Sequence, residues 1–382
     1  MSVPIYLDYN ATTPIAPEVA NEILPYIHSH FGNPSSSYAI GRNNREAIEK
    51  ARRQVANLIG ALPEEIIFTS GGTESNNHAI RGAVLANQQK GKHMITSQVE
   101  HPAVTEVCKS LEKQGCEITW LPVDAFGKIN PADVENAVRP DTVLISIMHA
   151  NNEVGTIQPL KEIGELAKKH GVIFHTDAAQ SLGKIETDVN ELNVDLLSIA
   201  GHKLYAPKGI GALYIRNGVK LENLIFGAGQ ERGLRPGTEN VPYSVALGKA
   251  CELANKNLDG NKQHLFQMRQ RLLDGLKDKV RTGIKLNADL DNCLPNTLSI
   301  AFEGVEAHTL ASFISSRVSF STGSACHADS VEISSVLKAM QTDRKTAAGT
   351  VRISTGKFTT KKEIDHAIEA ISTAVNQLSH AK

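Results

Sequence analysis

Lys203 lies in the stretch VDLLSIAGHKLYAPKGIGALYIR, residues 194–216, where apolar runs from Val194 to Ile199 and from Ile210 to Ile215 flank a turn punctuated by glycine and proline. The pattern predicts strand, turn, strand, with the lysine presented in the turn rather than on a helix face. Upstream, the run from Gly171 to Thr176 reads as another strand, ending in Asp177-Ala178-Ala179-Gln180. The carboxyl ends of parallel strands are where α/β proteins place ligand sites. Alone, a turn lysine is a solvated charge and an aspartate after a strand is a helix cap. Together they suit pyridoxal phosphate, whose aldehyde makes a Schiff base with a lysine and whose pyridine nitrogen takes an acidic partner.

Other residues bear on the same chemistry. Ser70-Gly71-Gly72-Thr73-Glu74-Ser75-Asn76-Asn77 follows a strand-like run, Glu65 to Thr69, and reads as a tight turn before a helix from Ala79 onward. Gly72 and Thr73 are candidates to hold a phosphate at that helix start; otherwise Thr73 is an N-cap. His101, in Glu100-His101-Pro102, either stacks on a flat cofactor and moves protons or caps the helix that opens at Pro102. Asn152 either bonds a ring oxygen or a substrate carboxylate, or is a turn residue. The run from Gly227 to Asn240 has two arginines, Thr238 and no apolar period. A loop of that length in a compact domain is usually functional, and its guanidinium groups and Thr238 suit an anion. Finally, the small, polar residues from Ser321 to Ser330 surround Cys326 and predict an exposed, mobile cysteine. With a thiol pKa of about 8.5, roughly a tenth is thiolate near a pH of about 7.5, and His327 beside it favours more. Such a thiol is a nucleophile on a tether.

Positioning these residues requires a scaffold. Strand-like and helix-like runs alternate from Glu65 to Thr176: strands at 93–97, 117–121, 142–148 and 172–176, with helices at 103–114, 131–138 and 160–169 between them. That βα series implies a mostly parallel sheet covered by helices on both faces. Helices are also expected at 17–28 and from Ala47 to Ile59, with Gly60 ending the second. Beyond Arg216, helical spacing at 241–255 and 263–280 leads into strands at 298–302, 318–320 and 350–354 and helices at 306–315 and 360–378. The last helix opens with a capping box, Thr360 and Glu363. These elements form a smaller α+β unit, and the expected division is 16–254 for the large cofactor-binding domain, with 1–15 and 255–382 for the small one.

Composition excludes several classes. With 382 residues the chain exceeds one comfortable core. Lys plus Arg (40) against Asp plus Glu (41) leaves a formal charge of -1, which offers no field for nucleic acid or an anionic membrane. No long apolar run or targeting segment is present, so the expected compartment is the cytoplasm. The five cysteines (Cys108, Cys116, Cys251, Cys293, Cys326) are scattered without metal-ligand spacing, which argues against a disulfide framework and a zinc site.

Four motifs, Asp177-Ala178-Ala179-Gln180, Gly201-His202-Lys203, Arg235-Pro236-Gly237-Thr238 and Ser324-Ala325-Cys326, in this order and spacing resemble the cysteine desulfurases of the class V aminotransferase group. The resemblance spans nearly the whole chain. It implies an α/β fold of type I pyridoxal phosphate enzymes, with a mostly parallel seven-stranded sheet between helices and a smaller α+β domain. It also implies a homodimer with active sites at the subunit interface, and a sulfur acceptor such as an iron–sulfur scaffold protein. Carried over by position, Lys203 is the Schiff-base lysine, Asp177 the partner of the pyridine nitrogen, and His101 the stacking, proton-moving residue. Gln180 bonds the phenolic oxygen; Gly72, Thr73 and His202 hold the phosphate, with Thr238 reaching in from the partner subunit. Arg352 pairs with the substrate carboxylate, helped by Asn152, and Cys326 attacks the substrate sulfur to become a persulfide. The chain departs from the common pattern at Ala200, where many relatives have a phosphate-bonding serine. That feature, with Gly-Gln-Glu-Arg and Ser-Thr-Gly-Ser-Ala-Cys-His, also resembles the selenocysteine lyases. The expected reaction is conversion of L-cysteine to L-alanine with sulfur transfer; the alternative is release of selenium from L-selenocysteine. An aminotransferase or kynureninase-like hydrolase of the same group needs no tethered thiol, and a non-enzymatic scaffold needs neither Lys203 nor Asp177.

Overall fold

The computed structural model describes residues 4–327 and 330–380, with side chains described except at 324–332. Strands form where apolar runs are buried on both faces. A seven-stranded sheet takes the spatial order Ile66–Thr69, Gly211–Ile215, Leu196–Ala200, Ile173–Asp177, Thr142–Ser146, His93–Ser97, Glu117–Leu121. Gly211–Ile215 runs antiparallel to both its neighbours, and the remaining pairs are parallel. Side chains alternate between two cores with the period of a pleated strand. Phe68, Ile145, Leu197, Ile199 and Tyr214 enter the core on one face, and Ile67, Leu144, Leu196, Leu213 and Ile215 enter that on the other.

A third hydrophobic core surrounds a four-stranded antiparallel sheet in the order Ser321–Thr322, Thr350–Ser354, Thr297–Phe302, Ile284–Leu286. Leu272, Leu276, Leu310, Ile364 and Ile371 from the covering helices fill it. The amino-terminal strand Ile5–Tyr6 pairs in parallel with Val318–Ser319, and Leu7 is buried in this third core. Thr360 and Glu363 form the capping box at the start of the helix Lys361–Ser379. Among the described residues, no helix is long and apolar enough to cross a membrane.

Five elements differ from the sequence reading. The helix expected from Ala79 begins at Gly72; its first two turns are polar because Ser75, Asn76 and His78 are buried, and tertiary burial outweighs hydrophobic period there. The helix expected from Ala47 begins at Ala39, and that expected from Gln263 begins at Leu258. The strand Ile284–Leu286 is too short to carry an alternation. The loop around Cys326 is a hairpin instead: Ser324–His327 pairs antiparallel with Ser330–Ile333, Cys326 opposite Val331. Backbone pairing, which small polar side chains do not announce, makes that strand.

Candidate active site

The carboxyl ends of two adjacent parallel strands build the site. Asp177 ends Ile173–Asp177 and pairs in register with Ser198 of Leu196–Ala200, which passes directly into the single helical turn Gly201–Lys203. Acid and lysine are therefore one strand apart at the same sheet edge. They line a cavity of about 440 Å3 together with Gly72, Thr73, His101, Asn152, Gln180, Ala200, His202 and Arg352. Ten of the residues singled out from sequence thus converge there.

Lys203 Nζ donates to the carbonyl oxygens of Asn10 and Ala11 at 2.5 and 2.7 Å. Burial, and secondarily the Arg352 guanidinium, pushes its pKa down to about 8, against the pull of Asp177 and Asp8. The Asp177 carboxylate is buried; Oδ2 accepts from Asn76 Nδ2 at 2.7 Å and Oδ1 from the Ala179 amide at 2.9 Å. His101 caps the helix Pro102–Glu112, its Nδ1 accepting from the Ala103 amide at 3.1 Å, so the capping and functional readings of this residue are compatible. That bond leaves Nε2 as the nitrogen free to carry a proton. Burial lowers the His101 pKa, Asp177 opposes and Lys203 reinforces the shift. Beside it, burial pushes the Glu100 carboxyl up to about 8 although Ser97 Oγ and the Met148 amide both donate to it.

The end of the cavity where the sequence reading expects a phosphate is built on the helix Gly72–Ala86. Its N-cap, Gly71, has no side chain to satisfy the first turn, so those N–H groups are left to a ligand at the positive end of the helix. A Cβ on Gly72 would come 3.2 Å from the Ala200 Cβ, so a glycine keeps this wall thin. His202 Nδ1 is 3.1 Å from Thr12 Oγ1, and burial, then Lys203, pushes the ring's pKa down to about 4.

At the opposite side, Arg352 donates from Nη1 to the Asn152 carbonyl at 3.0 Å and from Nη2 to Asp8 Oδ1 and Ser321 Oγ, both at 2.7 Å. Its Nε is buried without a hydrogen-bond partner among the described residues. The Cys326 hairpin is anchored nearby: the Gly323 amide donates to Thr350 O, the Ser334 amide to Gly323 O, and Ser334 Oγ to Glu153 Oε2 at 2.5 Å. The exposure of the Cys326 thiol and the reach of His327 lie outside the described residues.

Thr238 is exposed and does not line this cavity. Its loop is pinned to the body by the pair Arg52–Glu231, buried on both sides and bidentate at 2.6 and 2.9 Å, and by Arg235–Glu74 at 2.9 Å. Glu74 also accepts from the Ser70 amide, so this loop and the turn before the helix Gly72–Ala86 share a carboxylate. The sequence reading did not single out Asn10, Asn76 or Lys184. Asn10 meets Lys203, Gln180, Lys184, Thr297, Asn296 and Ser354. Lys184 follows Gln180 by four residues, a spacing that hinted at contact; burial, then the charges of Lys203 and Arg352, pushes it down to about 7.

A family model of the class-V aminotransferases matches residues 5–366. The chain is 48% identical over 375 residues to the cysteine desulfurase IscS of Methanosarcina thermophila, covering 98% of this chain and 92% of that protein. Among solved structures it matches a NifS-like protein with a TM-score of 0.92 and 38% identity, over 99% of this chain and 100% of that one. It also matches SspA in complex with cysteine, with a TM-score of 0.81 and 39% identity, over 93% and 99% of the two chains. The chain belongs to the class-V aminotransferases and, within them, to the cysteine desulfurases, which are pyridoxal phosphate enzymes.

Proposed function

We propose that this chain converts L-cysteine to L-alanine and a persulfide on Cys326, with pyridoxal phosphate held in the cavity around Lys203. The observation that carries the proposal is the shared cavity: Lys203, Asp177, His101 and Arg352 line it, and the Cys326 hairpin is anchored on Thr350, two residues from Arg352.

The residues fit the cofactor. Asp177 offers a buried carboxylate for the pyridine nitrogen, and the uncapped first turn of Gly72–Ala86, with Thr73 and His202, offers donors to a phosphate. Gln180 would bond the ring's phenolic oxygen and Lys203 would hold the aldehyde. When bound, the cofactor supplies an electron sink for the substrate's bonds to Cα.

The chain's own residues do the rest. Lys203, depressed to about 8, holds a substantial share of unprotonated amine near neutral pH. His101, fixed through Nδ1 by the Ala103 amide, presents its Nε2–H to give a proton and take one back. Arg352 takes the substrate carboxylate, with Asn152 beside it. The Cys326 thiolate attacks the substrate sulfur: an S–S bond forms, the carbon–sulfur bond breaks, and the substrate carbon takes up a proton to become the methyl of alanine. The two sulfurs are oxidised by as much as that carbon is reduced, so no outside electron donor enters. The persulfide is then passed to an acceptor protein, of which an iron–sulfur scaffold is the kind proposed.

We further assign a homodimer, in which Thr238 of the partner subunit completes the phosphate cradle; the fixed, exposed loop that bears this threonine supports the reading. The four described cysteines are free, which supports a reducing compartment, the cytoplasm. The separate cores support a division into 16–254 and 1–15 with 255–382.

The test is an assay of purified holoenzyme with L-cysteine and, separately, L-selenocysteine, following alanine, sulfide and selenide. Wild type is expected to form alanine and sulfide from cysteine. Cys326→Ala is expected to keep the cofactor and bind cysteine yet form no cyanide-labile sulfur. Full sulfide production by that variant, with the labile sulfur on Cys108, Cys116, Cys251 or Cys293, would overturn the assignment.

A further inference from the structure

We infer that Lys184 is a positioning residue: its N–H groups hold the side-chain oxygen of Gln180 and thereby turn that residue's amide nitrogen, not its carbonyl, toward the ring oxygen of the bound cofactor. The inference rests on the cofactor placement proposed above.

Lys184 is 6% exposed and forms no ion pair with a carboxylate among the described residues. Its Nζ donates to Gln180 Oε1 at 3.0 Å and to Asn10 Oδ1 at 3.3 Å. A buried amine without an acid is costly, and these two amide oxygens replace the water it has lost. The arrangement has a consequence for Gln180. A side-chain amide is nearly symmetric in shape but not in hydrogen bonding, and its neighbours decide which end faces which way. A lysine offers donors, so the Gln180 oxygen faces it, and Nε2 faces the other way. One N–H of Nε2 is spent on the Asn10 carbonyl at 3.0 Å, the same oxygen that accepts from Lys203. The second N–H remains for the cavity, which Gln180 lines beside Asp177 and Lys203. Asn10 does not depend on Lys184 in this way, because Asn296 Nδ2 also donates to its Oδ1, at 2.9 Å. Gln180 Oε1 has Lys184 as its hydrogen-bond donor among the described residues.

A donor on the phenolic oxygen stabilises its deprotonated form and lowers the pH at which the bound chromophore titrates; a carbonyl turned toward it does the reverse. The test is a pH titration of the visible absorbance of purified holoenzyme. Lys184→Met, of similar length and without a donor, is expected to move the midpoint upward by about one unit, the order expected for one hydrogen bond to a charged oxygen. Gln180→Ala is expected to give a similar shift, and Lys184→Met added to Gln180→Ala to move it no further. An unmoved midpoint in Lys184→Met, or the full additional shift in the double variant, would overturn the inference; the latter would show a direct charge effect. Should the methionine variant not fold, Lys184→Gln supplies a neutral donor and is expected to keep the wild-type midpoint, and a full one-unit shift there would overturn the inference as well. A wild-type chain that took up no pyridoxal phosphate and showed no such band would instead overturn the proposed function itself.

Discussion

Lys203 Nζ lies 2.5 Å from the carbonyl oxygen of Asn10, so the amine proposed for the covalent link is oriented by the amino-terminal segment rather than by its own turn. That segment is tied to the second sheet through the Leu7 and Asn10 contacts, and Lys203 to the first. The site is thus held where the two meet.

Only an unprotonated amine attacks an aldehyde. Because the Lys203 pKa is depressed to about 8, the reactive form is present above that value and is lost as pH falls through it. The rate at which the apoprotein captures pyridoxal phosphate should therefore rise with pH and level off above about 8. Stopped-flow absorbance measures it, and a midpoint near the ordinary lysine value of about 10.4 would refute the depressed pKa. Lys203→Ala should show no cofactor fixed to the chain by borohydride.

Arg352 is held in place by Asp8, Ser321 and the Asn152 carbonyl before any substrate arrives. A lysine there keeps the charge but loses the planar fork. Arg352→Lys should raise KM for cysteine by roughly ten- to a hundredfold, the worth of a charge-assisted hydrogen bond, with a smaller change in kcat. Steady-state kinetics that show kcat falling and KM unmoved would take the carboxylate away from Arg352.

Ala200 lines the cavity next to Gly72, where a hydroxyl would join the donors proposed for the phosphate. Ala200→Ser should slow loss of the cofactor by about tenfold on dilution, since one added bond to a charged oxygen is worth that order. Dialysis with absorbance readout checks it; faster loss than wild type would mean that the wall has no room for the oxygen.

Glu231 and Arg52 are buried together, and the Phe68 amide also donates to Glu231. Removing one partner leaves an uncompensated buried charge, so Glu231→Ala should cost about 3–5 kcal/mol of stability. Denaturant titration measures this. A loss under about 1 kcal/mol would show that water or a neighbouring group takes the place of the carboxylate.

Much of this molecule is visible in one dimension because its signals are local. The strand Leu196–Ala200 is an apolar run buried on both faces, and Asp177 and Lys203 each sit where a run of that kind stops. The capping box of Thr360 and Glu363 spans three residues and forms as read. Helix starts were harder to see: at Gly72 the buried side chains are polar, because what covers them is a site and a sheet edge rather than an apolar core.

From sequence alone came the residue types the chemistry needs and the strand ends that present them: Lys203, Asp177, His101, Arg352 and a cysteine among small neighbours. Tertiary structure decided how they are held. Asp8 meets Arg352 across 344 positions of chain and Asn10 meets Gln180 across 170, and no periodicity reports contacts of that range. The pairing of Cys326 with Val331, the pinning of the Thr238 loop by Arg52 and Glu231, and the seat of Lys184 behind Gln180 likewise depend on which surfaces come together. Polar groups at such junctions have no sequence period because each is placed by a partner elsewhere in the chain, and their hydrogen bonds are defined only after the apolar faces have packed.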